Sequence, residues 1–145
     1  MMRKSSGFTL VELIVVILIL GILSAVAVPK FANLQGSARA ASLNGLRAAV
    51  SSASTLANAL QQAQNLNAGS SVTIEGAAVT MANSYPDGLG IAQAVRFDTS
   101  LFSTAGAAAA TTFSISAGGG TCIFTYTSAA ATTTPPTIST VGTCS

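Results

Sequence analysis

GFTLVELIVVILILGILSAVAVP, from Gly7 to Pro29, is the stretch on which the reading of this chain turns. From Phe8 to Val28 every residue is apolar or small except one, the acid Glu12. As a helix rising about 1.5 Å per residue, this run is roughly 30 Å long, the thickness of a bilayer's hydrocarbon core. Arg3 and Lys4 precede it, and the positive-inside tendency then places Met1 in the cytoplasm and the rest of the chain outside. Two features separate the run from an ordinary secretory signal. The basic leader is very short, and no small-x-small cleavage site closes the apolar region. Glu12 is the other: a carboxylate in a membrane helix costs on the order of 3 kcal/mol and rarely stays without a partner. No basic residue lies within one helical turn of it, and Lys4 is too far along a helix to pair with it. Its partner is therefore expected on another molecule.

Beyond the run, Pro29 sits where the helix should continue, and an interior proline removes a backbone hydrogen bond and kinks the helix. Gly21 is a poor helix former in the same segment. From Lys30 the pattern becomes amphipathic. Phe31, Leu34, Ala38, Ala41, Leu46, Ala49, Ala53, Leu56 (or Ala57), Leu60 and Ala63 form the predicted inner stripe, with Asn44, Arg47, Ser51, Ser54 and Asn58 on the polar side. Asn65, Asn67 and Gly69 end the helix near Leu66. Short strands follow: Val72–Ile74 and Ala78–Met81 around the turn pair Glu75-Gly76, then Phe113–Ser116 and Cys122–Thr127 joined through Gly118-Gly119-Gly120. Tyr85-Pro86-Asp87-Gly88 reads as a turn, Leu89–Val95 as a short helix, and Ile138–Val141 as an edge strand after Pro135-Pro136. The runs Ala105–Thr112 and Ser128–Thr134 read as surface loops. The fold class is α+β, a long N-terminal helix on a small antiparallel sheet.

Composition narrows the function. The chain has 145 residues, one domain's worth, and only 7% of them are charged. Low surface charge permits dense packing of many copies. No basic patch with interleaved aromatics supports a nucleic-acid partner. There is no histidine, and the acids Glu12, Glu75, Asp87 and Asp98 are scattered. No catalytic residue, metal ligand set or cofactor site is predicted. Asp87 reads as a turn former and Asp98 as a local cap. Two cysteines, Cys122 and Cys144, fall in the exported part and read as a disulfide, free thiols being the alternative.

Gly7-Phe8-Thr9-Leu10-Val11-Glu12 after a short basic leader resembles the processing and assembly signature of type IV pilins and the related pseudopilins, and the likeness runs through Gly21 and Pro29. That resemblance implies a pilin fold with a leader at 1–7, a hydrophobic helix at 8–29 and a head at 30–145, its amphipathic helix covering 30–66 and its sheet and loops 67–145. It implies that a prepilin peptidase cuts between Gly7 and Phe8 and methylates the new Phe8 amine. The precursor then sits in the inner membrane, and the pilus assembly machinery moves it into a helical homopolymer outside the cell. Glu12 would meet the Phe8 amine of a neighbouring copy, which sets the register. Gly21 to Pro29 would be a weak segment, able to lose helical order in a filament. Lys30-Phe31-x-Asn33-Leu34-Gln35 and Leu43-x-Gly45-Leu46 look most like the mannose-sensitive haemagglutinin pilin group. Major pseudopilins of type II secretion carry calcium late in the head, whereas this chain has no acid after Asp98 and instead has the cysteine pair typical of adhesive and motility pilins. The implied function is the structural subunit of a type IV pilus that contacts host or abiotic surfaces. The alternatives are a pseudopilin or a membrane-anchored binding protein that forms no polymer.

Overall fold

The computed structural model describes residues 7–115 and 122–144, the side chains at 32 and 33 excepted. The Gly118–Gly120 connection and the basic leader lie outside those residues. The chain divides into two units, residues up to Gln35 and residues from Gly36 onward. One helix, α1 (Leu10–Ala63), contributes to both, and its helical assignment is unbroken through Gly21 and Pro29.

Among the described residues of the first unit no apolar side chain is buried: Phe8, just before α1, is 91% exposed, and on the helix Leu10 is 73% and Ile22 71% exposed. Phe31 and Leu34, assigned to the inner stripe by sequence, are exposed as well.

In the second unit the buried stripe of α1 is Leu43, Leu46, Val50, Ser54, Ala57 and Gln61. These residues recur at steps of three and four, one face of a 3.6-residue period. The stripe therefore differs from the predicted one, sharing with it Leu46, the alternative Ala57 and, half-buried against the core, Ala53. Ala38, Ala41, Ala49, Leu56 and Ala63 face solvent, and Ser54, expected on the polar side, is buried. The physical reason is compositional. Alanine occupies every face of this helix, so alanine carries no directional signal, and the large residues Leu43 and Val50 decide which way it turns. The helix ends in a Schellman motif, as its asparagines suggest: Asn65 takes φ 51°, its N–H donates to the Gln62 carbonyl, and the Leu66 N–H donates to the Gln61 carbonyl. The Gln61 amide reaches past the cap to the carbonyls of Asn67 and Ser70, so its burial leaves no unmatched donor.

Among the described residues three sheets follow. β1 (Val72–Ile74) and β2 (Ala77–Val79) form a hairpin whose turn residues Glu75 and Gly76 both have positive φ, the type I′ geometry that suits strand twist. β3 (Met81–Ala82) and β4 (Tyr85–Pro86) form a second hairpin around Asn83 and Ser84, again with positive φ at both. The predicted turn at Tyr85–Gly88 is thus displaced. Asn83 and Ser84 tolerate the left-handed region because they are tied down: the Asn83 amide donates to Ala129, and the Ser84 carbonyl accepts from Asn58. Asp87 then caps α2 (Gly88–Ala94), accepting from the Gly90 N–H at 2.6 Å.

The main sheet runs β5-β6-β7-β8, all antiparallel. β5 (Phe102–Ala107) and β6 (Ala110–Ile115) turn through Ala108 and Ala109, so the Ala105–Thr112 run is a hairpin and not the loop its composition suggested. β7 (Ile123–Thr127) pairs with β6 in the predicted order, and β8 (Thr137–Ile138) closes the far edge. β6 and β7 alternate buried with half-buried positions. Phe113, Ile115, Phe124 and Tyr126 meet the α1 stripe and Ile91 of α2 in one core, where Phe113 stacks on Phe124 at 4.9 Å and Phe97 meets Phe113 edge-on. The architecture is α+β, as expected.

Cys122 and Cys144 form the disulfide, with a sequence separation of 22. It ties the C-terminal segment to the start of β7, and Cys122 is part of the core. Replacing both with alanine is expected to lower head stability by about 3 kcal/mol, the loop-entropy figure for a crosslink of this size. Thermal melts of the detergent-solubilised chain, with and without reductant, test this; a drop in the variant that matches the reduced wild type is the expected result.

Tyr126 is fully buried, and its hydroxyl donates to the Pro86 carbonyl at 2.7 Å with Ser54 Oγ 3.4 Å away. Burial pushes its phenol up to about 12. The proton is thus held more tightly folded than unfolded, where tyrosine titrates near 10. Its contribution to stability is complete below about pH 10 and is lost as pH rises from there through 12. Circular dichroism against pH should show alkaline unfolding in that window, and Tyr126→Phe should blunt the pH dependence while lowering stability at neutral pH by about 1–3 kcal/mol through the unpaired Pro86 carbonyl.

Candidate assembly site

The residues singled out by sequence lie mainly at the start of α1. Thr9 precedes the first helical residue and takes the N-cap position, which makes Glu12 the third helical residue. Threonine at the cap with glutamate three positions on is the capping-box pattern, and the geometry fulfils it. Glu12 Oε2 accepts from the Thr9 N–H and from Thr9 Oγ1, both at 2.8 Å, while the Glu12 N–H donates to Thr9 Oγ1 at 3.3 Å. Glu12 also sits in the first turn, where the helix dipole favours a negative charge.

This revises one expectation. Glu12 has partners within its own chain, and the T-x-x-E spacing that announces them is present in the sequence. Hydrogen bonds and a dipole satisfy the carboxylate's geometry without neutralising its charge, and the described residues place no cation against it. Gly7 and Phe8 stand just outside the helix, both exposed, with Phe8 adjoining the cap. Gly21 has open space where a side chain would begin, and Pro29 lies within the helix. Cys122 and Cys144 belong to the head and form its crosslink.

Residues 2–28 match the family model described as the prokaryotic N-terminal methylation motif. Its N-terminal segment carries that motif. The chain is also 48% identical over 54 residues to the type IV narrow pilus major component PilA5 of Thermus thermophilus. The similarity covers 37% of this chain and 47% of that pilin, so the chain spans about half the length of its relative. No solved structure matches. The long apolar helix, the small antiparallel sheets and the C-terminal disulfide fit the pilin α+β fold.

The other acids of this pilin-like head serve local structure. Asp87 accepts from the Gly90 N–H and from Thr80 Oγ1 at 2.7 Å, holding α2 to the link between β2 and β3. Asp98 accepts from the N–H and hydroxyl of Ser100, and these bonds, the hydroxyl's foremost, hold its carboxyl below the usual range. The use of Asp98 agrees with the local cap read from sequence, whereas Asp87, read as a turn former, is instead the N-cap of α2.

Proposed function

We propose that this chain is the precursor of a type IV pilus subunit that polymerises through its N-terminal helix into an extracellular filament. The observation that carries the reading is the combination of a prokaryotic N-terminal methylation motif with an apolar helix surface left exposed among the described residues. A helix of exposed leucine, isoleucine and valine is unstable in water and demands lipid or other helices around it. A filament of like chains supplies those helices. The described relative, a major component of a narrow pilus, supports the same reading.

A peptidase cuts between Gly7 and Phe8, and the new Phe8 amine is methylated. Phe8 to Val28 leaves the inner membrane for the filament core. Cleavage also creates a positive charge beside Thr9, and the capping box holds Glu12 ready for the amine of an adjacent copy. The segment from Gly21 to Pro29 is free to loosen in the packed fibre, since a proline and a glycine weaken it. The crosslinked head covers the outside and contacts surfaces.

Electron microscopy of material sheared from cells, with mass spectrometry of the subunit, tests the proposal. Long thin fibres built from chains that begin at methylated Phe8 are the expected result. A chain processed at Phe8 but confined to the envelope points to a pseudopilin, and an intact Met1 terminus overturns the processing step.

A further inference from the structure

Five of the head's charged residues can be followed individually. Arg96 pairs with Glu75 at 3.3 Å, and Asp87 is held by Thr80 and the α2 cap. Arg47 and Asp98 are different. Arg47, half-buried on α1, uses Nε to donate to the Ser139 carbonyl at 2.8 Å, and no carboxylate among the described residues stands against its guanidinium. That single bond orients the fork and leaves its outer N–H groups for a second acceptor. Asp98 is exposed, oriented by Ser100, and has no cation against it among the described residues.

These two oriented, un-neutralised charges sit at opposite edges of the main sheet. Ser139 directly follows β8, one edge strand, and remains paired to Thr125 of β7. Asp98 lies four residues before the start of β5, the other edge strand, and its carbonyl accepts from the Phe102 N–H. Three strand spacings of about 4.8 Å separate the edges, so within one copy the charges lie roughly 14 Å or more apart, beyond the Debye length at physiological salt. They cannot serve each other in the same molecule. Beside Arg47 a cleft of about 370 Å³, lined also by Ala48, Ser51, Pro136 and Ile138, has room for a loop tip. The Asp98-Thr99-Ser100 loop is small, polar and exposed.

We propose that successive copies meet head to tail across these edges, with the Asp98 loop of one copy seated in the cleft against Arg47 of the next. This rests on the polymer reading above and names a contact between heads within it. A contact between two different patches is heterologous, and such contacts propagate into open helical arrays where two-fold contacts would close into dimers. Opposite charges at the two ends of that contact set its polarity and oppose the reversed pairing.

The test is a charge swap in the full chain, expressed where wild-type filaments form. Asp98→Arg and Arg47→Asp each place like charges across the contact and should lower sheared filament at least about tenfold, while the double variant recovers most of the yield. Asp98→Asn keeps an acceptor for Ser100 and removes only the charge, so it should give an intermediate loss in a folded head. Circular dichroism and disulfide content of the detergent-extracted subunit confirm folding in each case. Single variants that assemble like wild type, or a folded double variant no better than the worse single, overturn this contact and leave the pilin reading intact. Absence of filaments from the wild type would instead overturn the pilin reading.

Discussion

Gly90→Ala is expected to destabilise the head by about 3 kcal/mol or more, lowering its melting temperature on the order of 10 °C. A β-carbon at this position would overlap the carbonyl oxygen of Thr80 and lie 2.9 Å from that residue's carbonyl carbon and nitrogen. The obstacle is backbone, which has no rotamer to yield. It is also fixed in place, because the Asp87 N–H donates to the Thr80 carbonyl and the Asp87 carboxylate takes the Thr80 hydroxyl. Relief would require α2 to lift from the strand, which opens the core at Ile91. Gly45→Ala provides the opposite sign. Gly45 lies on the exposed side of α1 with nothing near the missing side chain, so alanine there should stabilise by roughly 0.5–1 kcal/mol through helix propensity. Thermal and urea melts of the detergent-solubilised chain measure both. If the two substitutions behave alike, the close approach of α2 to Thr80 is not what this position requires.

Glu12→Ala is expected to abolish filaments while leaving the chain inserted and processed. Removing a carboxylate from the apolar helix eases insertion by about 3 kcal/mol, so a failure to reach the membrane is not anticipated. The capping box loses its third-position acceptor, which costs the helix start about 1 kcal/mol, too little to unfold a helix of this length. What remains is the loss of the negative charge proposed to match the amine of an incoming copy. Glu12→Gln separates charge from hydrogen bonding, because glutamine still accepts from Thr9 in the same box. Both variants should leave processed subunits in the membrane and few fibres in the sheared fraction. Normal fibres from Glu12→Gln would show that the cap's hydrogen bonds suffice and that no counter-charge is met.

The sequence alone determined whatever rests on local chemistry or on one-dimensional length. The Gly7–Pro29 run announces its own environment by length and hydropathy, whatever the rest of the chain does. Asn65 ends α1, Glu75-Gly76 turns a hairpin, Asp98 binds Ser100 and the cysteines pair, each within reach of its own neighbours or forced by a count of two. The Thr9–Glu12 box was equally legible, since its four residues hold both partners. Tertiary structure decided what local composition leaves degenerate. Alanine on all sides of α1 makes several faces equally apolar, and only the sheet, by offering Phe113, Phe124 and Tyr126, selects Leu43, Val50 and Ser54 to face it. Ala, Gly and Thr between residues 105 and 112 carry weak strand preference, and pairing with β7 makes them a hairpin through hydrogen bonds to residues distant in sequence. The turn at Asn83-Ser84 depends on acceptors at Ala129 and donors at Asn58. The placement of Arg47 and Asp98 at opposite edges follows from strand order, which long-range pairing sets and no short window of residues encodes.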